Sequence, residues 1–425
     1  FDSVSVVDGV FSVPLDFGAA AFPGDDRFLQ VSVRRNSGEA FVTLSPRQQI
    51  TSSPYSIRSI STGQADIALD SQSLGGTAAS QYVQQDLGGN VNIAGNLTVA
   101  GAASYDTVNA TTQYNLGGER ILSNAGSFNL FVGTNAGANN TGSSNTFVGN
   151  GAGQLNTTGF LNSFFGNAAG FNNTTGPANA FFGFHSGINN TEGTLNAFFG
   201  YRAGLSNTGT GSHNSFFGAR AGEGNTTGLF NSFFGRLTGA LNTTGSNNAF
   251  YGVGAGESNT TGSENTFLGN RAGTNNGAAI GNTAVGWEAG FNNTASYNSF
   301  FGWSAGKANT TGNANAFFGR NAGLSNTTGG NNSFFGQSAG QNNTTGTYNN
   351  FFGHSAGFSN IDGCCNTFFG EYTGFANTSG SLNSFFGNSA GLSNQTGSSN
   401  VFVGERAGDQ NVAGNENSFL GYNAG

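Results

Sequence analysis

The sequence predicts an all-β chain, most of which is a parallel β-solenoid (β-roll) built from a seventeen-residue repeat. One template recurs eighteen times from Asn129 onward, and the last copy stops at Gly425. Glycine supplies 72 of the 425 residues and phenylalanine 42. Seventeen residues are too few for a helical-hairpin repeat, which needs more than about thirty. Glycine at this density would also cost a helix about 1 kcal/mol per position.

The template reads Asn, small, Phe, apolar, Gly, two variable residues, Ala, Gly, two variable residues, Asn-Thr-Thr-Gly and two variable residues. We number these positions 1 to 17, and residues 162–178 give one full copy. Position 1 is Asn and positions 5 and 9 are Gly in all eighteen copies; position 3 is Phe except at Ala284. Short apolar strands between glycine-rich turns predict about eighteen rungs, one per repeat, with Gly at corners of positive φ.

Stacking of the repeats predicts ladders of identical side chains along the axis. Each residue would lie about 4.8 Å from its equivalent in the next rung. Asn side chains can then hydrogen-bond along the axis, and each Phe ring can bury about 150–250 Å². In two copies the candidate ladder residues are Asn162, Phe164, Gly166, Gly170, Asn173, Asn332, Phe334, Phe335, Gly336 and Gly340.

Positions 3 and 4 predict how the chain associates. Neighbouring residues of a strand point to opposite faces, so position 3 enters the core and position 4 points outward. Position 4 is nevertheless apolar in all eighteen copies. Such a long exposed stripe exceeds what soluble monomers present, which predicts self-association as a homotrimer or a polymer. The alternative is that position 4 folds inward at a corner.

The final copy is ordinary in sequence and stops at Gly425, and Phe1 opens an incomplete strand domain. Either the polymer is head-to-tail, with one end docking on the other, or the chain extends beyond both residues.

Three segments precede the solenoid, which is expected to cover residues 126–425. Residues 1–58 predict a small, sandwich-like and incomplete β domain, with a hairpin around Asp8-Gly9 and strands at 28–33 and 41–44. Residues 59–88 are small and polar, which predicts a linker or neck. Residues 89–125 begin with a six-residue period of alternating apolar residues, which is typical of a narrow β-shaft.

These motifs carry a resemblance to known proteins. The segments LSPRQQITSSPYSIRS (44–59), LGGTAASQYVQQD (74–86) and GNVNIAGNLTVAG (89–101), with the NTTGxxNxFFGxxAG repeats, resemble large bacterial surface proteins of the tail-fibre-domain type. The second and third segments are also similar to trimeric phage tail-fibre shafts, and the repeat is similar to the β-roll heads of trimeric autotransporter adhesins. The resemblance implies an extracellular or cell-surface location and homotrimeric assembly.

Composition disfavours several functional classes. The net charge is -8 and no run of Lys or Arg occurs, whereas nucleic-acid binding needs a basic stripe. No apolar run approaches the ~18 residues of a membrane helix, so membrane insertion is not expected. The chain lacks Met and begins at Phe1, which predicts that an N-terminal segment such as a signal peptide precedes it.

The residues that most often carry chemistry are dispersed. His185, His213 and His354 fall at three different template positions, which predicts no catalytic site, no metal site and no cofactor, and therefore no enzyme. Asn-Thr-Thr matches a glycosylation acceptor, although the same Asn suits a turn and a ladder. Cys364 and Cys365 occupy positions 16 and 17, either as neutral substitutions or as partners in interchain disulfides.

Two functions remain at this point. The first is an extracellular structural fibre or filament with a mechanical role. The second is an adhesin or receptor-binding fibre that recognises surface glycans through its variable positions. Recognition should concentrate aromatic and charged residues on a few rungs. Tyr201-Arg202, Trp287-Glu288 and Trp303 are dispersed in the sequence, which favours the mechanical function.

Overall fold

The computed structural model describes residues 4–5, 7–8, 13–14, 27–50, 84–85, 91–92 and 113–425. These residues form strands, turns and irregular segments. The chain divides into two compact units, Phe1–Asp106 and Thr107–Gly425, and each is described by itself below. Among the described residues there is no helix of the length and apolarity needed to cross a membrane.

The described strands of the first unit are short and antiparallel. They are β1 (Arg27–Leu29), β2 (Ser32–Val33), β3 (Val42–Thr43), β4 (Gln48–Ile50), β5 (Gln84–Gln85) and β6 (Val91–Asn92). β1 pairs with β4, β2 with β3 and β5 with β6. The single strand expected at 28–33 is divided into β1 and β2, which pair with different partners. The strand expected at 41–44 is present in shorter form as β3, and β4 is an addition.

Most of the other expectations for this unit fall on residues that the structure does not describe. Of the expected N-terminal hairpin, the described part includes Asp8, whose φ of 50° suits the expected turn. The linker at 59–88 and residues 89–112 of the shaft predicted for 89–125 lie outside the described residues, apart from β5 and β6.

The second unit begins with an antiparallel hairpin, β7 (Gln113–Leu116) and β8 (Glu119–Ser123). Its turn is Gly117-Gly118, with φ values of 59° and 87° that suit glycine. β8 pairs antiparallel with β9 (Leu130–Val132), the first strand of the repeats. The hairpin therefore covers the first edge of the parallel ladder, where an open edge would favour aggregation. Residues 113–123 lie within the range 89–125 for which the sequence predicts a β-shaft. The dipeptide Gly117-Gly118 is the feature of the sequence that indicates the turn.

Each copy of the repeat contributes one three-residue strand at positions 2–4. After β9 these are β10 (Thr146–Val148), β11 (Ser163–Phe165), β12 (Ala180–Phe182), β13 (Ala197–Phe199), β14 (Ser215–Phe217), β15 (Ser232–Phe234), β16 (Ala249–Tyr251), β17 (Thr266–Leu268), β18 (Thr283–Val285), β19 (Ser299–Phe301), β20 (Ala316–Phe318), β21 (Ser333–Phe335), β22 (Asn350–Phe352), β23 (Thr367–Phe369), β24 (Ser384–Phe386), β25 (Val401–Val403) and β26 (Ser418–Leu420).

Consecutive strands pair in parallel and in register, so that like positions lie side by side. Phe334 of β21 pairs with Phe317 of β20 and with Phe351 of β22. The turns bond along the same axis; for example, Gly340 N–H donates to Ala356 C=O at 2.9 Å. Eighteen strands joined by seventeen such pairings form one continuous solenoid, which confirms the predicted fold class.

The corners of each rung need left-handed backbone at four template positions. Gly336 and Gly340, at positions 5 and 9, have φ values of 145° and 56°. Positions 7 and 17 also have positive φ, although most copies carry a residue other than glycine there. Ser338 and Tyr348, for example, have φ values of 58° and 54°. A left-handed L-residue costs about 1–2 kcal/mol, so surrounding contacts must hold these positions. Glycine alone was expected at the corners, and it supplies only about half of them.

The core of the solenoid is one column of Phe beside one column of Ala. Phe334 at position 3 and Ala339 at position 8 both have no exposed surface, as in most copies. Adjacent position-3 rings stack, with centroids 4.7 Å apart for Phe317 and Phe334. The core is therefore one side chain wide, and most rungs contribute the same two apolar groups to it. Position 8 is instead Ser186, Thr238 or Thr373 in three rungs.

One rung departs from this packing. Ala284 stands where the other copies have Phe, and its rung from Asn282 has sixteen residues. The ring of Phe300 in the next rung is tilted by 31° from that of Phe317, while most stacked pairs differ by less than 11°. Phe300 also lies near Gly290, which belongs to the rung of Ala284. The ring of Phe300 therefore leans into the space that Ala284 leaves.

Candidate functional site

The Asn residues at position 12 form an amide ladder through the interior. Asn343 Nδ2 donates to Asn326 Oδ1 at 2.6 Å and to Gly346 C=O at 3.0 Å. Asn343 Oδ1 in turn accepts from Asn360 Nδ2 at 2.6 Å. These side chains have no exposed surface. Each amide thus closes the Asn-Thr-Thr-Gly turn of its own rung and ties that rung to both neighbours, as expected.

The Asn residues at position 1 form a second ladder that mostly uses the backbone. Asn332 Nδ2 donates across its rung to Gly346 C=O at 2.8 Å. Asn332 Oδ1 accepts from the backbone N–H of Asn349 at 2.9 Å. Direct amide-to-amide bonds at this position occur in a few pairs, such as Asn248 to Asn231 at 3.1 Å. The expected ladder is present, and its main link is side chain to main chain.

The hydrogen bonds of the position-12 ladder determine whether the Asn of Asn-Thr-Thr can carry a glycan in the folded solenoid. A sugar on Asn343 would replace one of the two Nδ2 hydrogens, and both are donated within the fold. The side chain also has no exposed surface on which a glycan could leave the protein. The Asn of the Asn-Thr-Thr sequence is therefore a structural group in the folded solenoid and not a glycan acceptor.

The position-4 side chains form a half-exposed row on the outside of the strands. Phe335 stacks on Phe318 and Phe352, with centroids 4.7 and 4.8 Å apart. Position 4 is partly or largely exposed along the solenoid, and Phe369 reaches 56%. The row therefore points outward, and the alternative that it folds inward at a corner is wrong. We call this surface the aromatic row.

The aromatic row contains two uninterrupted runs of stacked rings. One consists of Phe165, Phe182, Phe199, Phe217, Phe234 and Tyr251, and the other of Phe301, Phe318, Phe335, Phe352, Phe369 and Phe386. Leu268 and Val285 separate the two runs. Each run is a straight apolar strip that spans six rungs.

The histidines are not part of a cluster of metal-binding side chains among the described residues. His185 stacks on Phe184 with centroids 3.8 Å apart, and desolvation by burial, followed by the charge of Arg202, lowers the pKa of His185. His354 Nδ1 lies 3.4 Å from Glu371 Oε1. Within the described residues no group of three or more His, Cys, Asp or Glu side chains is placed to hold a metal ion.

The basic and tryptophan side chains of the solenoid share one edge, which the spacing of the sequence does not reveal. Positions 6, 7 and 10 contact one another across rungs: Trp287 and Trp303 stack at 5.0 Å, and Lys307 Nζ lies 2.5 Å from Glu288 Oε2. We call this surface the 6-7-10 edge. It carries every Lys and Arg of residues 126–425 and both tryptophans of the chain, namely Arg202, Arg220, Arg236, Arg271, Lys307, Arg320, Arg406, Trp287 and Trp303.

The two cysteines lie next to each other at the surface. Cys365 Sγ lies 3.3 Å from Cys364 Sγ, and both thiols are free. Cys365 is exposed and Cys364 is half-buried. The hydrogen bond to Cys364, assisted by desolvation, raises the pKa of Cys365. The expected interchain disulfide stays a prediction, and the exposed Cys365 is the thiol that a second chain could reach.

Comparison with known proteins adds no assignment. No family model, no curated protein and no solved structure matches this chain.

Proposed function

We propose that this chain is the structural subunit of an extracellular fibre or filament, with a mechanical role and no catalytic one. The observation that carries the proposal is the Asn and Phe stacking that repeats from rung to rung, with an interruption at the rung of Ala284. Asn343 and Phe334 each contact equivalents on both sides, so load along the axis is shared by repeated, identical contacts. In a solenoid, stability is a sum of such neighbour terms, which suits a long and durable rod.

The aromatic row supports self-association as the next level of assembly. Each run presents six stacked rings to solvent, and apolar patches of this kind mark protein interfaces in soluble proteins. A second copy offers a row with the same spacing, so ring can meet ring along the whole run. We propose burial of this row between chains of a homotrimer or a polymer.

Sedimentation and electron microscopy of the purified chain test this function. We expect rod-shaped oligomers whose mass falls to that of one chain when Phe318 and Phe335 are both changed to Ser. Tyr348→Ser is the matched control, because Tyr348 is 61% exposed at position 17, outside the aromatic row. A monomer for the unaltered chain, or equal effects of the two variants, would exclude assembly through this row.

The second candidate function is glycan recognition by an adhesin-like fibre. The observation that favours it is the 6-7-10 edge, because Trp287 and Trp303 are neighbours in space although sixteen residues separate them. Trp287 and Trp303, which are dispersed in the sequence, therefore meet in neighbouring rungs. Tyr201 and Arg202 lie on the same edge, several rungs away.

A further inference from the structure

The 6-7-10 edge contains one cluster whose composition differs from the rest of the solenoid. Trp287 and Trp303 stack with an interplanar angle of 11°, and their side chains remain 39% and 47% exposed. Lys307 Nζ lies 5.4 Å from the ring centroid of Trp287. The Arg320 guanidinium lies 5.7 Å from that of Trp303. We call these four residues the tryptophan site.

The tryptophan site has a local excess of positive charge. Glu288 is 3% exposed, and its carboxylate is shared by Arg271 Nη1 at 2.7 Å and Lys307 Nζ at 2.5 Å. One carboxylate thus faces two cations, and Arg320 belongs to none of the ion pairs among the described residues. The Glu257 carboxylate also lies beside Arg271. Three cations against two anions leave a formal excess of one positive charge, in a chain whose net charge is -8.

Two buried polar atoms beside the site have no hydrogen-bond partner. Ser304 Oγ and Asn321 Oδ1 belong to position 7 of consecutive rungs, next to Trp303 and Arg320 in the sequence. Ser304 is 1% exposed. Buried polar groups are normally satisfied, so an unpaired pair at one place points to a partner from outside. Asn321 Oδ1 needs a donor, and a hydroxyl group can serve both atoms.

We propose that the tryptophan site binds an acidic saccharide, such as a chain of uronic acids. The Arg320 guanidinium would pair with the sugar carboxylate in two parallel hydrogen bonds. Sugar hydroxyls would meet Ser304 and Asn321, and the edge of the Trp303 indole that stays exposed between Trp287 and Arg320 would contact apolar C–H groups of the saccharide. A nucleic acid fits less well, because an excess of one charge is small for binding a phosphate backbone.

This inference rests on the second candidate function and not on the mechanical one. Binding at the tryptophan site and assembly through the aromatic row use different template positions, 6, 7 and 10 against 4. A failure of binding would therefore leave the sedimentation result untouched. Loss of assembly would likewise leave saccharide binding at the tryptophan site unchanged.

Intrinsic fluorescence gives a specific test, because both tryptophans of the chain lie in this site. The chain is titrated with tetragalacturonate and, separately, with a neutral galactose tetrasaccharide. We expect a saturable change in tryptophan emission with the acidic sugar that weakens as salt is added. The neutral sugar should bind at least about tenfold more weakly, since it lacks the charge-assisted bonds.

Variants locate the binding. Arg320→Gln should weaken tetragalacturonate binding about tenfold or more, and Arg320→Lys should give an intermediate loss, because it keeps the charge without the planar fork. Arg236→Gln is the matched control and should change binding less than about twofold. Arg236 is also an exposed position-6 arginine, and its position-6 neighbours Ala219 and Val253 are not aromatic.

Four results would overturn the proposal. They are the absence of a saturable response to tetragalacturonate, an equal response in Arg320→Gln, an equal response to sulfate, and an equal response to a DNA oligonucleotide of the same charge. An equal response to sulfate would show that the site binds anions in general and not a saccharide. The fourth would assign the edge to nucleic acid.

Discussion

Gly340 packs directly against the ring of Phe334, and a Cβ at Gly340 would lie 2.4 Å from Cε2 of that ring. The same contact joins position 9 to position 3 in nearly every copy, for example Gly323 to Phe317 at 2.4 Å. Space for the Phe column therefore requires that position 9 has no side chain. Its φ of 56° favours glycine for a second, independent reason.

Gly340→Ala should destabilise its rung by about 2–5 kcal/mol, because a left-handed alanine costs about 1–2 kcal/mol and overpacking about 1–3 kcal/mol. Gly277→Ala is the control: its φ is 62°, yet nothing lies within 4 Å of the added Cβ. That change should cost only the backbone term of about 1–2 kcal/mol. Hydrogen exchange of each rung measures the difference, and equal protection losses in the two variants would contradict the packing argument.

Phe334→Ala should destabilise its rung by about 3–5 kcal/mol, since a fully buried ring is lost from between Phe317 and Phe351. The effect should stay within neighbouring rungs, because solenoid contacts are nearest-neighbour contacts. Hydrogen exchange followed by mass spectrometry should show faster exchange near β21 and little change near β11. A uniform rise along the rod would argue against independent rungs.

Asn343→Ala should cost about 2–4 kcal/mol, because it leaves Asn326 Oδ1 and one hydrogen of Asn360 Nδ2 buried without their partner. Gly346 C=O keeps the bond from Asn332 Nδ2. Asn342→Ala is a matched control, because Asn342 immediately precedes Asn343 and is half-buried. Surface changes of that kind usually stay within about 0.5 kcal/mol. The comparison uses rung-resolved hydrogen exchange, and a larger loss for Asn342→Ala would refute the assigned role of the ladder.

Ala284→Phe should stabilise the solenoid by about 0.5–2 kcal/mol, the usual gain from filling a core gap. The new ring would complete the column between Phe267 and Phe300, and Phe300 could give up its 31° tilt. Thermal unfolding and exchange near β18 report the gain. Ala322→Phe is the contrasting variant, because Ala322 is fully buried at position 8 of a rung whose position 3 already carries the ring of Phe317. Destabilisation by both would show that Phe300 has already closed the gap.

Alkylation of Cys365 should become faster when Cys364 is replaced by Ala. The hydrogen bond between the thiols raises the pKa of Cys365, so less of the reactive thiolate is present at neutral pH. Removing Cys364 brings that pKa back towards its usual value, and the pH profile of the iodoacetamide reaction should move to lower pH. A profile at the same or higher pH would show that the neighbouring thiol is not the cause.

The sequence by itself determined the repeat, the strand at positions 2–4, the inward Phe334 and the outward Phe335. It could do so because an in-register stack gives every equivalent residue the same neighbours, so periodicity alone predicts the ladders. The invariant Asn343 and Gly340 followed from the same reasoning, although which hydrogen bonds or ring contacts they make did not.

The tertiary structure determined the backbone conformation of the turns and the contacts between different template positions, because both depend on the path of the turns. Left-handed backbone at positions such as Ser338 and Tyr348 carries no sequence signal, because the surrounding contacts and not the residue type hold it. The turn path also brings positions 6, 7 and 10 onto one edge, so that Trp287, Lys307 and Arg320 form one site although they are dispersed in the sequence. Periodicity predicts which residues stack, whereas contacts between different template positions exist only once the rung has folded.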